Sequence, residues 1–162
     1  MSPLSPSSQK VQDLLLSLGY DCQVQESTTT TRTASDAAAL VGCHVGQIVK
    51  SLIFKGSITS KPILVLTSGA NRVNEHLIST YAAEPILRAD PDFVRATTGY
   101  AIGGVPPIGH LQPMETYLDE DLIQYSAIWA AAGTPNSLFK LTPGELQKMT
   151  AGKVTKVKDQ LS

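Results

Sequence analysis

Apolar residues first recur at helical spacing, from Val11 to Leu18, and a glycine then follows as a stop signal. This pattern predicts an amphipathic helix over residues 8–18. Residues 1–7 are serine and proline with few apolar side chains, which predicts a flexible N-terminal tail. We therefore expect a single domain over residues 8–162.

Two later segments, residues 48–54 and 63–67, are apolar without alternation. Continuous apolar runs of this length are typical of strands that are covered on both faces. The segment between them contains glycine and proline, so the pair is predicted to form a hairpin. Further short strands are predicted over residues 21–25, 125–131 and 138–141.

Several helices carry start and stop signals. Thr33 and Asp36 match a capping box, and Gly42 ends the apolar segment that follows. Thr142 opens a last helix with proline at its first position and Glu145 three residues on. Other helical segments are predicted over residues 74–82, 91–96 and 119–122. Helices mixed with non-alternating strands predict an α/β or α+β domain.

Composition and charge narrow the classes of function. The chain has 162 residues, 17% of them charged, and a net charge of −1. Such a balance excludes a strongly basic nucleic-acid binder, so any contact with RNA should be local and weak. Cys22 and Cys43 lack the spacing of a disulfide framework, and no apolar run reaches membrane length. We expect a cytoplasmic protein that does not enter a membrane.

Lys50 lies within the most apolar predicted strand. Alternation places it on the face that carries Ile48, Leu52 and Phe54. One interpretation is an edge lysine whose stem covers apolar surface while its amine reaches water. The other is an ammonium that lines a pocket and attracts a phosphate, a carboxylate or a developing oxyanion.

A second unusual segment, residues 99–109, contains paired glycines followed by paired prolines. Gly103 and Gly104 would let the backbone approach a ligand, and Pro106 and Pro107 would stiffen the chain after them. A purely structural bend remains an equal alternative. The segment matches neither of the common glycine-rich phosphate loops.

Other catalytic patterns are missing. The three histidines show no zinc-ligand spacing, and no nucleophile elbow is present. Asp119, Glu120 and Asp121 lie where a helix is predicted to start, which favours capping over metal binding. The sequence therefore predicts neither a metal nor a cofactor.

Five segments in this order carry a family resemblance: TASDAAA at residues 33–39, QIVKSLIF at 47–54, NRV at 71–73, TGYAIGGVPPIGH at 98–110 and LTPGEL at 141–146. Together they resemble the YbaK/EbsC family, also called the prolyl-tRNA synthetase editing or INS-like superfamily. The resemblance covers nearly the whole chain. Its specific elements are the strand lysine and the glycine-proline loop.

The resemblance implies a fold with a mixed, barrel-like sheet flanked by helices. It also implies an enzyme that acts on the ester between an amino acid and the terminal adenosine of tRNA. Aminoacyl-tRNA, and in some members prolyl-tRNA synthetase, would be the partners; no metal or cofactor is implied. The expected catalytic residues are Lys50, Gly103 and Gly104. The expected substrate-binding residues are Val105, Pro106, Pro107, Ser68, Gly69, Gly133 and Thr134.

The mechanism expected from these residues is attack by a water, with N–H groups of Gly103 and Gly104 stabilising the oxyanion. Placing the substrate is expected of Lys50 in preference to acting as a general base, because nothing identifiable in the sequence would lower its pKa enough. Small apolar residues near Ala131 favour alanine, serine or threonine at least as much as cysteine on tRNA-Pro. The alternatives are a binding module that does not turn over its ligand and an esterase of simple amino-acid esters.

Overall fold

The computed structural model describes residues 3–29, 31 and 33–159. Its helices are α1 (Pro6–Ser17), α2 (Ala34–Val41), α3 (Glu75–Ala82), α4 (Pro91–Thr98) and α5 (Pro143–Thr150), with short 3-10 helices at Val45–Gln47 and Glu120–Gln124. Its strands are β1 (Val24–Glu26), β2 (Ile48–Gly56), β3 (Pro62–Ser68), β4 (Ile86–Arg88), β5 (Glu115–Asp119), β6 (Ile128–Ala131), β7 (Ser137–Leu141) and β8 (Lys153–Thr155).

All eight strands belong to one mixed sheet in the order β1-β7-β6-β2-β3-β5-β8, and β4 also pairs with β2. β2 and β3 form the predicted antiparallel hairpin. β6 joins β2 in parallel, as does β5 with β3. The predicted mixed sheet with flanking helices is confirmed. Within the described residues, no pairing joins β1 to β8, so the sheet is not a closed barrel there.

Both faces of the central hairpin are covered, as the unbroken apolar runs predicted. In β3, Leu64 and Leu66 face the larger core, which contains the buried side of α1, α4 and α5. Ile63 and Val65 face a second core under α3. A third cluster packs α2 against Ile48 and its neighbours. The alternation of β2 and β3 therefore separates the helices into two layers.

The predicted helix signals at Thr33 and Thr142 are confirmed. Each threonine side chain accepts from the backbone N–H three residues later, and an acidic side chain completes the capping box in both. Leu141 and Leu146 flank the second cap, and both are buried in the larger core. This contact fixes the direction in which α5 leaves the sheet.

The prediction of a flexible tail over residues 1–7 is wrong for the part that the structure describes. Helix α1 begins at Pro6, and Ser5 caps it. The Ser5 N–H donates to Glu26 Oε1 at 2.7 Å, and Leu4 packs against the larger core. A proline at the first helical position suits this start, because its missing N–H would be unpaired there in any case. Residues 1 and 2 lie outside the described residues.

Three strands were not predicted: β4, β5 and β8. β4 and β8 are three residues long, and β5 pairs with β3 and β8, which lie far from it in sequence. The C-terminal segment contains β8, and its Lys158 pairs with Asp121 at 3.1 Å. Its last residues, 160–162, lie outside the described residues.

Replacing Leu146 tests the capping contact and the larger core together. Leu146→Ala should lower the free energy of unfolding by about 2–5 kcal/mol, because the side chain is fully buried and its loss leaves a cavity. Leu16→Ala is the matched control, since Leu16 is 53% exposed, and its effect should stay within about 0.5 kcal/mol. Urea denaturation measures both. Equal losses in the two variants would contradict this account of the core.

Candidate active site

The candidate active site lies at a gap in the strand pairing of β2. On one edge, β3 pairs with β2 from Val49 to Lys55. On the other edge, β6 pairs with β2 only as far as Val49, and β4 pairs with it from Phe54 onward. No described strand pairs with residues 50–53 on that edge. The backbone there borders a cleft instead of a neighbouring strand.

Two adjoining cavities of about 590 Å³ and about 530 Å³ occupy this cleft. Both are lined by Lys50, Ser51, Leu52, Ile102 and Val105. We call the larger one the arginine lobe, because its wall contains Arg72 and Arg88 beside Asn71 and Glu75. The smaller is the hydroxyl lobe, whose wall contains Thr31, Thr33, Ser35 and Ser137 together with Gly69, Gly103, Ala131 and Leu138.

Lys50 lies where the two lobes meet, so the predicted position in a pocket is the one observed. Its Nζ donates to the carbonyl of Asn71 at 2.9 Å. Burial lowers the pKa of the Lys50 ammonium, and the nearby Arg72 lowers it further, while Asp119 acts in the opposite direction. The sequence did not indicate this effect of Arg72 on the pKa of Lys50. Arg72 is distant from Lys50 in the sequence, and the fold brings the two residues to the same cavity wall.

Asn71, which holds Lys50, is itself held by two carboxylates. Its side-chain amide donates to Asp119 Oδ2 and to Asp121 Oδ2, each at 2.8 Å. Asp119 is fully buried and also accepts from Thr67 Oγ1 at 3.1 Å. The predicted capping role of Asp119 is present too, since its other oxygen accepts from the Asp121 N–H. Sequence reasoning found the cap but missed the clamp on Asn71.

Gly104 is fixed inside the loop and does not offer its N–H to the cleft. That N–H donates to the carbonyl of Ala101 at 3.0 Å, and the Gly104 carbonyl accepts from the Gly133 N–H at 2.9 Å. A Cβ at Gly104 would lie 2.8 Å from Thr134 Cα. The expected oxyanion contact from Gly104 is therefore wrong in this structure. Glycine is required there because two backbones approach closely.

Gly103 remains a candidate donor. It lines the hydroxyl lobe, and its φ of 91° lies in the left-handed region that favours glycine. Among the described residues, its N–H has no hydrogen-bond partner. Of the two predicted glycines, only Gly103 can direct an N–H into the cleft.

The residues after the glycines divide between the cleft and the interior. Val105 lines both lobes, as expected of a substrate contact. Pro106 and Pro107 are buried and lie outside the walls of both lobes. The Pro106 carbonyl is 2.7 Å from His110 Nε2, and Pro107 borders a separate groove beside α1. The two prolines therefore stiffen the loop on its buried side and do not line the cleft.

Ser68 and Gly69 also differ in position. Gly69 lines the hydroxyl lobe, and a Cβ there would lie 2.5 Å from the carbonyl oxygen of Val45. Ser68 is buried behind it, where its Oγ donates to the carbonyl of Gly46 at 2.7 Å and its N–H donates to Asp119. Ser68 therefore lies outside the cleft walls and supports the end of β3.

Gly133 and Thr134, predicted as substrate contacts, support the glycine loop from behind. Gly133 donates to the carbonyl of Gly104, as described above. Thr134 Oγ1 lies 2.7 Å from Ser137 Oγ and 3.4 Å from Glu26 Oε2. Neither Gly133 nor Thr134 lines a lobe. They set the position of the loop without lining the cavity that it covers.

Sequence reasoning missed several residues that line the cleft. Ser51 lines both lobes, and its buried Oγ has no hydrogen-bond partner among the described residues. Its place beside Lys50 was the available signal. Arg72 belongs to the NRV segment of the family resemblance, which assigns it no role in the site. The hydroxyl residues of α2 and its cap indicate only a helix start in the sequence, although they also line the hydroxyl lobe.

In the described part of the chain, no three side chains among histidine, cysteine, aspartate and glutamate come together as a metal site. Each helix that the structure describes is too short or too polar to span a lipid bilayer.

The fold and the cleft define a domain of the aminoacyl-tRNA editing class. Residues 28–149 match the family described as the aminoacyl-tRNA editing domain. The chain belongs to this family. The expected resemblance to YbaK/EbsC proteins is thereby confirmed, and the class of enzyme is aminoacyl-tRNA deacylase.

Individual relatives agree with this assignment. The Bacillus subtilis protein YwhH is 33% identical over 131 residues, which cover 81% of this chain and 83% of YwhH. EbsC of Enterococcus faecalis, named as a candidate Cys-tRNA(Pro)/Cys-tRNA(Cys) deacylase, is 29% identical over 77% of this chain and 76% of its own. The crystal structure of a candidate trans-editing enzyme for prolyl-tRNA synthetase covers 97% of this chain and 99% of its own, with a TM-score of 0.92 and 46% identity.

Gly104→Ala tests the supported loop. The new Cβ would meet the Thr134 backbone, so the loop should shift and deacylation should fall by about 10²-fold for a displacement near 1 Å. Gly144→Ala is the control, because the nearest atom to a Cβ there is 3.9 Å away. Deacylation rates and circular dichroism should be measured on both variants. A folded, fully active Gly104→Ala protein would separate the loop from catalysis.

Proposed function

We propose that this protein acts in trans to hydrolyse the ester of mischarged aminoacyl-tRNA, with tRNA-Pro carrying a small non-cognate amino acid as its substrate. The observation that carries the proposal is the position of Lys50, a half-buried ammonium at the junction of two lobes that the glycine loop covers. Relatives of this protein that are named as a deacylase and a trans-editing enzyme support the same reaction.

The hydroxyl lobe is suited to the amino acid. Among the described residues that line it, Lys50 alone is charged, and Ile48, Ala131 and Leu138 provide apolar walls. Hydroxyl groups in the same wall can accept or donate a hydrogen bond to a small polar side chain. A neutral amino acid such as alanine, serine, threonine or cysteine fits this chemistry better than a charged one.

The proposed reaction is attack by a water on the ester carbonyl. The Gly103 N–H is the available backbone donor for the tetrahedral oxyanion, since the Gly104 N–H is occupied. The described residues that line the hydroxyl lobe include neither histidine nor carboxylate, so none of them is a base that could make its hydroxyl groups nucleophiles. The neighbouring ribose hydroxyl of the substrate can relay the proton.

Lys50 is proposed to place the substrate and not to act as the base. Its pKa is lowered, yet its Nζ donates to a backbone carbonyl, and Asp119 favours the charged form. An ammonium in this position has two further N–H groups that can donate hydrogen bonds to the substrate. It can therefore hold a phosphate oxygen or the carbonyl oxygen of the ester.

The partners and location follow from the proposed reaction. The substrate is aminoacyl-tRNA, and prolyl-tRNA synthetase is the proposed source of the mischarged form. A cytoplasmic location is supported by two cysteines that are not joined in a disulfide.

Deacylation of tRNAs charged with alanine, serine, threonine, cysteine and proline is the direct test. Lys50→Ala should lower the rate on the preferred substrate by at least about 2 kcal/mol in activation free energy, or roughly 30-fold, because a buried charged contact is lost. Its melting temperature should be unchanged or raised, since a partly buried ammonium is removed. Lys50→Arg should also be impaired, because a planar fork does not replace a compact ammonium.

Lys55→Ala is the matched control, because Lys55 lies on the same strand and lines neither lobe. It should keep the rate of the unchanged protein. A protein that binds charged tRNA but protects the ester would be a binding module instead. Cleavage of simple amino-acid esters with no preference for tRNA would identify the esterase alternative.

Chelation tests the expected independence from metal. Deacylation should be unchanged in EDTA, because the proposed chemistry uses backbone N–H groups and an ammonium. The rates should be measured before and after dialysis against the chelator. Activity that is lost in EDTA and restored by zinc would replace this mechanism with a metal-assisted one.

A further inference from the structure

The arginine lobe carries more positive charge than its own residues neutralise. Among the described residues, its wall contains Lys50, Arg72 and Arg88 but a single carboxylate, Glu75. That carboxylate is taken by Arg88, whose Nε lies 3.2 Å from Glu75 Oε2. Lys50 and Arg72 are left without a carboxylate partner in the lobe. This local excess contrasts with the net charge of −1 for the whole chain.

Arg72 has no partner of its own within the described residues. No described carboxylate forms an ion pair with its guanidinium, and no hydrogen bond from its side chain is present there. Both side chains line the arginine lobe, and after burial the charge of Arg72 is the second cause that lowers the pKa of Lys50, against the opposite effect of Asp119. Arg72 is exposed and Lys50 is half-buried, so an anion that enters the lobe can contact both cations and reduce their mutual repulsion.

The backbone around Arg72 is anchored on both sides, so this arrangement does not depend on a loose loop. The Arg72 carbonyl accepts from the Asp159 N–H at 2.9 Å, and Val73 forms a β-bridge with Lys158. On the other side, the Asn71 side chain is clamped by two carboxylates. An anchored backbone fixes where the Arg72 side chain leaves the chain, and this lowers the ordering cost of binding an anion there.

We infer that Arg72 and Lys50 form an anion site in the arginine lobe, and that this site takes the phosphodiester attached to the terminal adenosine of tRNA. The inference rests on the proposed function for the identity of the ligand. With the amino acid in the hydroxyl lobe, the nucleotide that carries it extends into the adjoining lobe. Arg72 offers a planar fork to two phosphate oxygens, and Lys50 offers a point charge.

Binding of small probes tests the site without any deacylation. AMP carries the 5′ phosphate of the terminal adenosine, adenosine lacks it, and inorganic phosphate lacks the nucleoside. AMP should bind most tightly of the three. Its binding should also raise the pKa of Lys50, which can be measured by NMR of the lysine Nζ. The Lys50 signal is the one that disappears in Lys50→Ala. Equal binding of AMP and adenosine would overturn the anion site. Equal binding of AMP and inorganic phosphate would overturn its assignment to a nucleotide.

Arg72→Met keeps the length of the side chain and removes its charge. This substitution should weaken the binding of AMP about tenfold or more, because a charge-assisted hydrogen bond is lost. It should also raise the pKa of Lys50 in the free protein, because a neighbouring positive charge is removed. Arg72→Lys should recover part of the affinity. Arg95→Met is the control, since Arg95 is exposed on α4 and lines neither lobe. Unchanged AMP affinity and an unchanged Lys50 pKa in Arg72→Met would overturn the inference.

Kinetics then connect the site to tRNA. Arg72→Met should raise KM for charged tRNA and leave kcat nearly unchanged, because the phosphate is remote from the ester. The slope of log kcat/KM against log salt should become shallower by about 0.7, the contribution of one contact to a single-stranded phosphate. A fall in kcat alone would contradict a binding role. Should the protein deacylate none of the charged tRNAs, the proposed function fails, while the AMP titration still decides the anion site.

Discussion

The site depends on a constraint of sheet geometry: two strands share one edge of β2 but do not meet along it. β6 pairs with the start of that edge and β4 with its end. The Ile53 carbonyl accepts from the Ala89 N–H on this edge, and alternate residues direct their backbone groups the same way. The N–H and carbonyl of Ser51 therefore face the gap. Buried backbone groups need partners, so a polar ligand that enters the cleft meets groups already oriented to bind it.

Two loops border this gap, and both are rigid for local reasons. The glycine loop is held by its own Ala101 turn and by the Gly133 N–H behind it. The loop that carries Asn71 and Arg72 is held by Asp119 and Asp121 on one side and by the C-terminal segment on the other. The strand lysine thus sits between two fixed walls. Such preorganisation is what allows a few hydrogen bonds and charges to act on a weakly reactive ester.

The sequence predicted what local pattern controls. The capping boxes and the double-faced hairpin follow from spacing alone. For Lys50, spacing left an edge lysine and a pocket lysine open, and the family resemblance favoured the pocket. The sequence did not predict β4, β5 or β8, because these short strands exist only through partners distant in sequence. Nor could it separate Gly103 from Gly104: one faces the cleft, and the other touches Thr134, a contact that only the folded chain creates. Arg72 was missed for the same reason, since its effect on Lys50 arises from a loop that folds over the strand.

The two walls of the cleft are fastened near opposite ends of the described chain. Ser5 and Ser8 bind Glu26, which supports the turn behind the glycine loop, whereas Lys158 and Asp159 secure the loop of Arg72. During synthesis, the hairpin that carries Lys50 leaves the ribosome long before Lys158 does. A nascent chain therefore holds the central lysine before the wall of Arg72 is fastened, and the cleft is completed only after Asp159 has left the ribosome.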